Sequence, residues 1–419
     1  MAHSLRFLDL FAGAGGLSEG FTRAGFDPVA HVEANSAACL TLRTRTAFHW
    51  LSSHGSPERY EDYLQGRITR PELYQLVPRR QIDSVINAEI GEASLPSIFN
   101  SIDELLDGTK LDLIIGGPPC QAYSIVGRSR DSNRMKGDKR NRLYLFYAEF
   151  LRRYKPSYFV FENVVGLFSA RDEAGSLFFT DMQNLFRDTG YETEYRVLSA
   201  DDYGVLQNRK RIVLVGKRGR MTGFYPQPEK WQPRVNVGEL LMDLPPLEAG
   251  QGTVRPCSLK KYQGTYLYDA RIRGDGSSVT WHQARPNTDQ DLEIYRLAVE
   301  QWNTYGTRLS YDRLPERLQT HNNVVSFLDR FKVVAGNLPS SQTVVAHIAK
   351  DGHYYIHPDI NQNRSLTPRE AARLQTFPDD YFFESMPTTP GRTAAFRQIG
   401  NAVPVLLATK IAEQLGGAW

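Results

Sequence analysis

The sequence predicts a doubly wound α/β fold, a mostly parallel sheet with helices on both faces, followed by a smaller irregular domain. Two observations predict it. In the first half, short apolar strands alternate with helical patterns, which implies parallel strands joined by crossover helices. After about residue 217 that rhythm stops, and Pro226, Pro228, Pro233, Pro245, Pro246 and the run Gly274-Asp275-Gly276 break the chain into short pieces. A chain of 419 residues is long for one domain and comfortable for two.

Each element has its own signal. Residues 6 to 10 (Arg-Phe-Leu-Asp-Leu) read as a strand, followed by a glycine turn and a helix from about 18 to 24. Residues 28 to 33 form a second strand and 36 to 45 a helix. Residues from about 49 to 82 are polar and charged, with helical character and no strand signal, and read as a helical insertion at the edge of the sheet. Residues 111 to 115, 158 to 161 and 211 to 215 are further strands, and 141 to 154 is a helix. Near the end, Thr367 is placed as an N-cap, Pro368 at the first helical position and Glu370 three residues into the turn, which opens a helix continuing over 371 to 377. Residues 405 to 415 are an amphipathic helix able to return over the first domain's sheet. The division is 1–216 for the first domain, 217–391 for the second and 392–419 for the returning segment. No internal repeat interrupts this plan.

Composition bounds the function. The formal net charge of +3 says little, but residues 128 to 155 hold ten Lys/Arg against three Asp/Glu. That run directly follows Cys120, which points to an anionic substrate. The three cysteines, Cys39, Cys120 and Cys257, show neither CxxC pairing nor metal-ligand spacing, as expected for a reducing cytosol. The first residues enter a strand without the apolar core of a signal peptide, and no apolar stretch is long enough to span a bilayer. A cytoplasmic protein without a membrane partner is expected.

Three groups carry the chemistry. The turn Asp9-Leu10-Phe11-Ala12-Gly13-Ala14-Gly15-Gly16 follows the first strand, and its glycines let a ligand approach backbone N–H groups. Its spacing is not the dinucleotide GxGxxG. Glu33 ends the next strand, where a carboxylate can hold a ribose diol, so a nucleoside-containing cofactor is expected. Leu113-Ile114-Ile115 runs into Gly116-Gly117-Pro118-Pro119, a corner that delivers the Cys120 thiol to the carboxyl edge of the sheet, where ligands of open α/β folds bind. Nearby arginines favour its reactive thiolate. Glu162 follows Tyr158-Phe159-Val160-Phe161. A half-buried carboxyl there is expected to hold a proton and act as a general acid. Arg209 and Arg211 fall on one face of the strand that follows, opposite Lys210. If that strand is antiparallel, both guanidinium groups face the same cleft, suited to a carbonyl oxygen or a phosphate.

The blocks 9–16, 117–121, 162–164, 207–211, 364–378 and 400–405, in this order, resemble the DNA (cytosine-5)-methyltransferases of bacterial restriction–modification systems. The resemblance frames nearly the whole chain. It implies a Rossmann-like S-adenosylmethionine-dependent methyltransferase fold with a target-recognition domain, whose variable part is about 217 to 363. It implies a monomer that acts on double-stranded DNA near the nucleoid, alongside a cognate restriction endonuclease without a stable complex. For S-adenosylmethionine it implies Phe11 stacked on the adenine, Glu33 on the ribose and Glu89-Ile90 flanking the adenine. The turn residues Ala12, Gly13, Gly15 and Gly16, together with Pro118, Leu143, Asn401 and Val403, complete that pocket. Cys120 attacks C6 of a flipped cytosine, Glu162 engages N3 and the exocyclic amine, Arg211 holds O2, and Arg209 supports the loop that carries Cys120. The basic loop 122 to 136 is expected to close over DNA. Glu89 stands where the family usually has Asp, Tyr123 where it has Phe, and Asn141 where Gly is frequent. A tRNA cytosine-5 methyltransferase is opposed by the long 217 to 363 region, and a non-catalytic DNA-binding relative by the intact Cys120, Glu162 and Arg211. A dinucleotide oxidoreductase is opposed by the glycine spacing.

Overall fold

The computed structural model describes residues 4–119, 142–172, 174–219, 221–274, 276, 278–321 and 323–419. Seven strands form one sheet: β1 Arg6–Leu10, β2 Asp27–Glu33, β3 Val85–Asn87, β4 Leu113–Gly116, β5 Tyr158–Val164, β6 Tyr191–Ser199 and β7 Lys210–Arg218. Their order is β3-β2-β1-β4-β5-β7-β6. β1 to β5 are parallel, and β7 is antiparallel to both of its neighbours, β5 and β6. The strand order reverses between β1 and β4, so a crevice opens at the carboxyl ends of those strands.

The central strands β4, β5 and β7 carry near-continuous apolar runs because both faces of the sheet are covered there. Phe7, Leu113, Ile115, Val160, Val213 and Val215 point into one core. Leu8, Ile114, Phe159, Phe161, Ile212 and Leu214, their alternating neighbours, point into the other. The first core also takes in Leu407, Ile411 and Leu415 of the helix Val405–Gly416, which packs beside the helix Gly16–Arg23.

The insertion is helical. The helix Ser36–Ser53 runs well past the expected end at 45 and is followed by helices Pro57–Leu64, Arg70–Gln75 and Arg79–Asp83. These sit beside β3, the edge strand. They also reach a distant part of the chain: the Tyr60 hydroxyl donates to the Asp380 carbonyl at 2.8 Å, and the Tyr63 hydroxyl to Glu384 at 2.5 Å.

β7 continues to Arg218, past the boundary expected at 216. Beyond it no described strand joins the large sheet, and the remaining strands are the two-residue pair Gly252–Thr253 and His282–Gln283. That stretch does contain one long helix, Asp289–Tyr305, opened by a Thr288/Asp291 capping box. The Thr367/Glu370 capping box forms as read from the sequence. Its helix, Pro368–Leu374, stops short of 377 because the chain turns at Thr376, whose φ is +56°. The helix is held by buried charges rather than by apolar contacts alone. Arg364 pairs with Glu370 at 2.7 Å, and Arg373 with Asp379 at 2.7 Å and Asp243 at 2.5 Å.

Candidate active site

The turn after β1 is tight and strained. Phe11 takes φ +58°, a left-handed conformation costly for a residue with a side chain. Gly16 has no space for a side chain, since a β-carbon there would lie 2.3 Å from the Val403 carbonyl oxygen. The C-terminal segment is thereby seated against the turn. Glu33 is fixed from two sides: the backbone N–H of Gly13 donates to one carboxylate oxygen at 2.8 Å and that of Asn35 to the other at 2.7 Å. Each oxygen keeps accepting capacity for a further donor. Asp9 is 1% exposed and lines the crevice at the carboxyl end of β1. Burial pushes its pKa up to about 8.

The corner after β4 is shaped by Gly116, with φ +143°. A β-carbon there would lie 2.0 Å from the Leu10 carbonyl oxygen, so β1 and β4 can close up only around a glycine. The corner is pinned from β5, where the buried Asn163 amide donates to the Pro118 carbonyl at 3.1 Å. Cys120 and the loop 122 to 136 lie outside the described residues. The described chain ends at Pro119, at the cavity wall.

One cavity of about 350 Å³ joins these parts. Phe11, Ala12, Gly13, Gly16, Glu33, Glu89, Ile90, Pro118, Leu143, Asn401 and Val403 all line it, together with Glu162 and Arg211. Gly15 does not; a side chain there would run into Leu42 and the Tyr381 hydroxyl. Glu162 is half-buried as expected, but it is not alone, because Arg211 Nε lies 2.7 Å from its Oε1.

Arg209 corrects the reading of two guanidinium groups in one cleft. It is 1% exposed, does not line the cavity, and donates to the carbonyls of Val344 at 2.6 Å and Ala402 at 2.7 Å. Strand alternation sets the face a side chain leaves from, but this long side chain turns into the core to reach those carbonyls. It ties the start of β7 to the segment that carries Asn401 and Val403. Its expected support of the Cys120 loop falls outside the described residues. Gln207 works alongside it: its Oε1 accepts from the Val344 N–H at 2.9 Å and its Nε2 donates to Gln375 at 3.0 Å.

Sequence reasoning passed over several residues. Asp9 carries no role in the sequence reading of the turn, yet it lines the cavity as a buried acid. Asn35, Asn163 and Arg397 also line it. Asn163 could have been found, since an amide directly after a strand-end acid, opposite a carbonyl-rich Pro-Pro corner, has one obvious acceptor. Arg397 carries no local signal.

A sheet of this order with an antiparallel β7, and an acid-lined cavity at its carboxyl edge, defines the S-adenosylmethionine-dependent methyltransferase class of α/β proteins. A DNA modification methyltransferase encoded within an Escherichia coli prophage shares the fold, with a TM-score of 0.62 and 22% identity, over 99% of both chains. The chain belongs to the C-5 cytosine-specific DNA methylase family, whose model matches residues 5–54 and 88–417. It is 40% identical to the type II methyltransferase M.Bpa9945I of Bacillus paralicheniformis, over 97% of each chain. It is 33% identical to M.XorII of Xanthomonas oryzae pv. oryzae, over 97% of this chain and 84% of that one. The chain is thus a DNA cytosine-5 methyltransferase. The stretch 55 to 87 that the family model skips holds the helices Pro57–Leu64, Arg70–Gln75 and Arg79–Asp83 together with β3. Among the described residues no helix is long and apolar enough to cross a membrane.

Proposed function

We propose that the chain methylates one cytosine within a specific sequence of double-stranded DNA, using S-adenosylmethionine as donor and Cys120 as nucleophile. The observation that carries this reading is that the Glu162–Arg211 pair and the Glu33 carboxylate share one cavity. A carboxyl–guanidinium pair matches the N3, amine and O2 edge of cytosine, and a fixed strand-end carboxylate matches a ribose diol.

The residues present fit the donor. Phe11 and Ile90 offer apolar surface for an adenine, Glu33 keeps accepting capacity for hydroxyl groups, and Asp9 is a buried carboxyl in the cavity wall. Ala12, Gly13, Gly16, Glu89, Pro118, Leu143, Asn401 and Val403 complete the enclosure. Bound there, S-adenosylmethionine supplies an electrophilic methyl group. The protein's part is to make C5 of cytosine a nucleophile. Addition of the Cys120 thiolate to C6, with Glu162 bonded to N3 and the amine and Arg211 to O2, turns C5 into an enamine-like carbon. Once C5 is methylated, removal of its proton and departure of the thiol restore the aromatic ring. The target is reached by flipping the base from the duplex.

Residues 1–216 are assigned to catalysis, 217–391 to target recognition and 392–419 to the segment closing the cavity. The type II names of the relatives support a role as the modification enzyme of a restriction–modification system. The chain would then act as a cytoplasmic monomer on nucleoid DNA, beside a cognate endonuclease.

Duplex DNA with every cytosine replaced by 5-fluorocytosine tests the chemistry. Fluorine at C5 blocks elimination, so the wild-type chain with the donor should leave an SDS-resistant adduct, and Cys120→Ser should leave none. An adduct that survives Cys120→Ser would remove that thiol from the mechanism.

A further inference from the structure

We propose that Arg397 binds the carboxylate of the methyl donor, an assignment that rests on the reading of the cavity given above. The helix Gly391–Asn401 forms one wall, which Ala394, Arg397, Gln398 and Asn401 line. Spacings of three and four residues put these side chains on one helical face.

That face is held in place. Gln398 Oε1 accepts from the Thr41 hydroxyl at 2.7 Å, and Nε2 donates to the Glu384 carbonyl at 2.8 Å. The turn carrying Arg397 is therefore fixed against the helix Ser36–Ser53, whose first turn lines the same cavity through Ala37 and Ala38.

The charges of the wall leave one position open. Its described acids are Asp9, Glu33, Glu89 and Glu162, and its described cations are Arg211 and Arg397. Arg211 is engaged by Glu162. Arg397 is exposed to the cavity and has no hydrogen-bond or ion-pair partner among the described residues. S-adenosylmethionine carries a sulfonium, an ammonium and a carboxylate. Two of those groups are cations entering a wall that holds four acids, and Arg397 is the described group that answers the anion. A guanidinium can meet a carboxylate with two parallel charge-assisted hydrogen bonds. A DNA phosphate could use the same chemistry, but Arg397 shares its helical face with Asn401 inside the cavity, which favours the donor.

Titration of the full-length chain with S-adenosylmethionine and with its decarboxylated form tests the assignment. Wild type should bind the decarboxylated form at least about tenfold more weakly, as expected for loss of a charge-assisted pair. Arg397→Gln should weaken S-adenosylmethionine by that same factor and leave the decarboxylated form's affinity unchanged. Arg397→Lys should recover part of the loss. Unchanged S-adenosylmethionine affinity in Arg397→Gln overturns the assignment, as does equal weakening of both compounds, which reports structural damage. Lost duplex affinity with intact donor affinity would place Arg397 on phosphate instead. A wild-type chain that binds neither compound would overturn the reading of the cavity itself, and is told apart by that control.

Discussion

Glu162 and Arg211 meet diagonally across the β5–β7 ladder, with Arg211 Nε 2.7 Å from Glu162 Oε1. Arg211 stands directly opposite Val164 in the register, and Glu162 lies two residues along the same face. The antiparallel run of β7 is what brings its first residues to the carboxyl end of β5. Glu162→Gln keeps the shape and removes the charge. It is expected to lower kcat by about a hundredfold or more, with donor affinity close to wild type. Steady-state methyl transfer and a donor titration measure the two separately, and a wild-type kcat in this variant would detach Glu162 from the chemistry.

Asn163→Ala tests how the thiol-bearing corner is aimed. It deletes the donor to the Pro118 carbonyl and leaves that acceptor unmatched inside the protein. An unsatisfied buried acceptor costs about 1–3 kcal/mol. Urea unfolding should show a loss of that order, and kcat should fall further than stability alone explains, since the corner leads into Cys120.

The region 364–379 is expected to depend on its ion pairs. Arg373, Asp243 and Asp379 are fully buried, with Arg373 bonded to both acids. Arg373→Ala takes away the ion-pair partner of Asp379 and leaves Asp243 with only its pairing to Arg273. Breaking one side of a buried pair typically costs about 3–5 kcal/mol, and denaturant unfolding at neutral pH should show it. Arg59→Ala, which removes an exposed pairing with Asp62, should be nearly silent.

Stability should also fall on the acid side. Burial lowers the His357 pKa to about 4, and its Nδ1 accepts from the Asp359 N–H at 3.1 Å, which requires the neutral ring. Burial lowers His31 to about 4 as well. Unfolded histidine titrates near 6.5. Between those values these two histidines are protonated in the unfolded chain and neutral in the folded one, so their contribution is complete above about 6.5 and is lost as pH falls toward 4, partly offset by the buried Asp9, whose raised pKa works in the opposite sense. Urea unfolding across that range should show the decline, and His357→Gln should make it shallower.

How much of this was legible follows from what each residue does. The strands that carry the site are legible because both of their faces are buried, so β4, β5 and β7 hold near-continuous apolar runs and β1 and β2 are mostly apolar. β6 was missed because it is an edge strand whose middle residues are largely exposed, which leaves no apolar pattern to read. β3, at the other edge, spans only Val85–Asn87. The helix Asp289–Tyr305 carries its Thr288/Asp291 capping box in the sequence, but it stands alone in a stretch broken by prolines, without the strand–helix alternation that marks the first half. Glu33, Glu162 and Arg211 were legible because a polar residue at the end of a buried strand has few other uses. Arg209 was misplaced and Arg397 unseen for a common reason. Where a long side chain goes depends on carbonyls and walls supplied by residues 344 and 391–402, which tertiary structure alone brings near.

The most direct measurement is nucleoside mass spectrometry of DNA from cells that express the chain, with bisulfite sequencing to locate the modified base. The account predicts 5-methylcytosine confined to one recurring duplex sequence, and none when Cys120→Ser is expressed at the same level. DNA without 5-methylcytosine, or a methyl group found instead on the cytosine amine or in RNA, would contradict it.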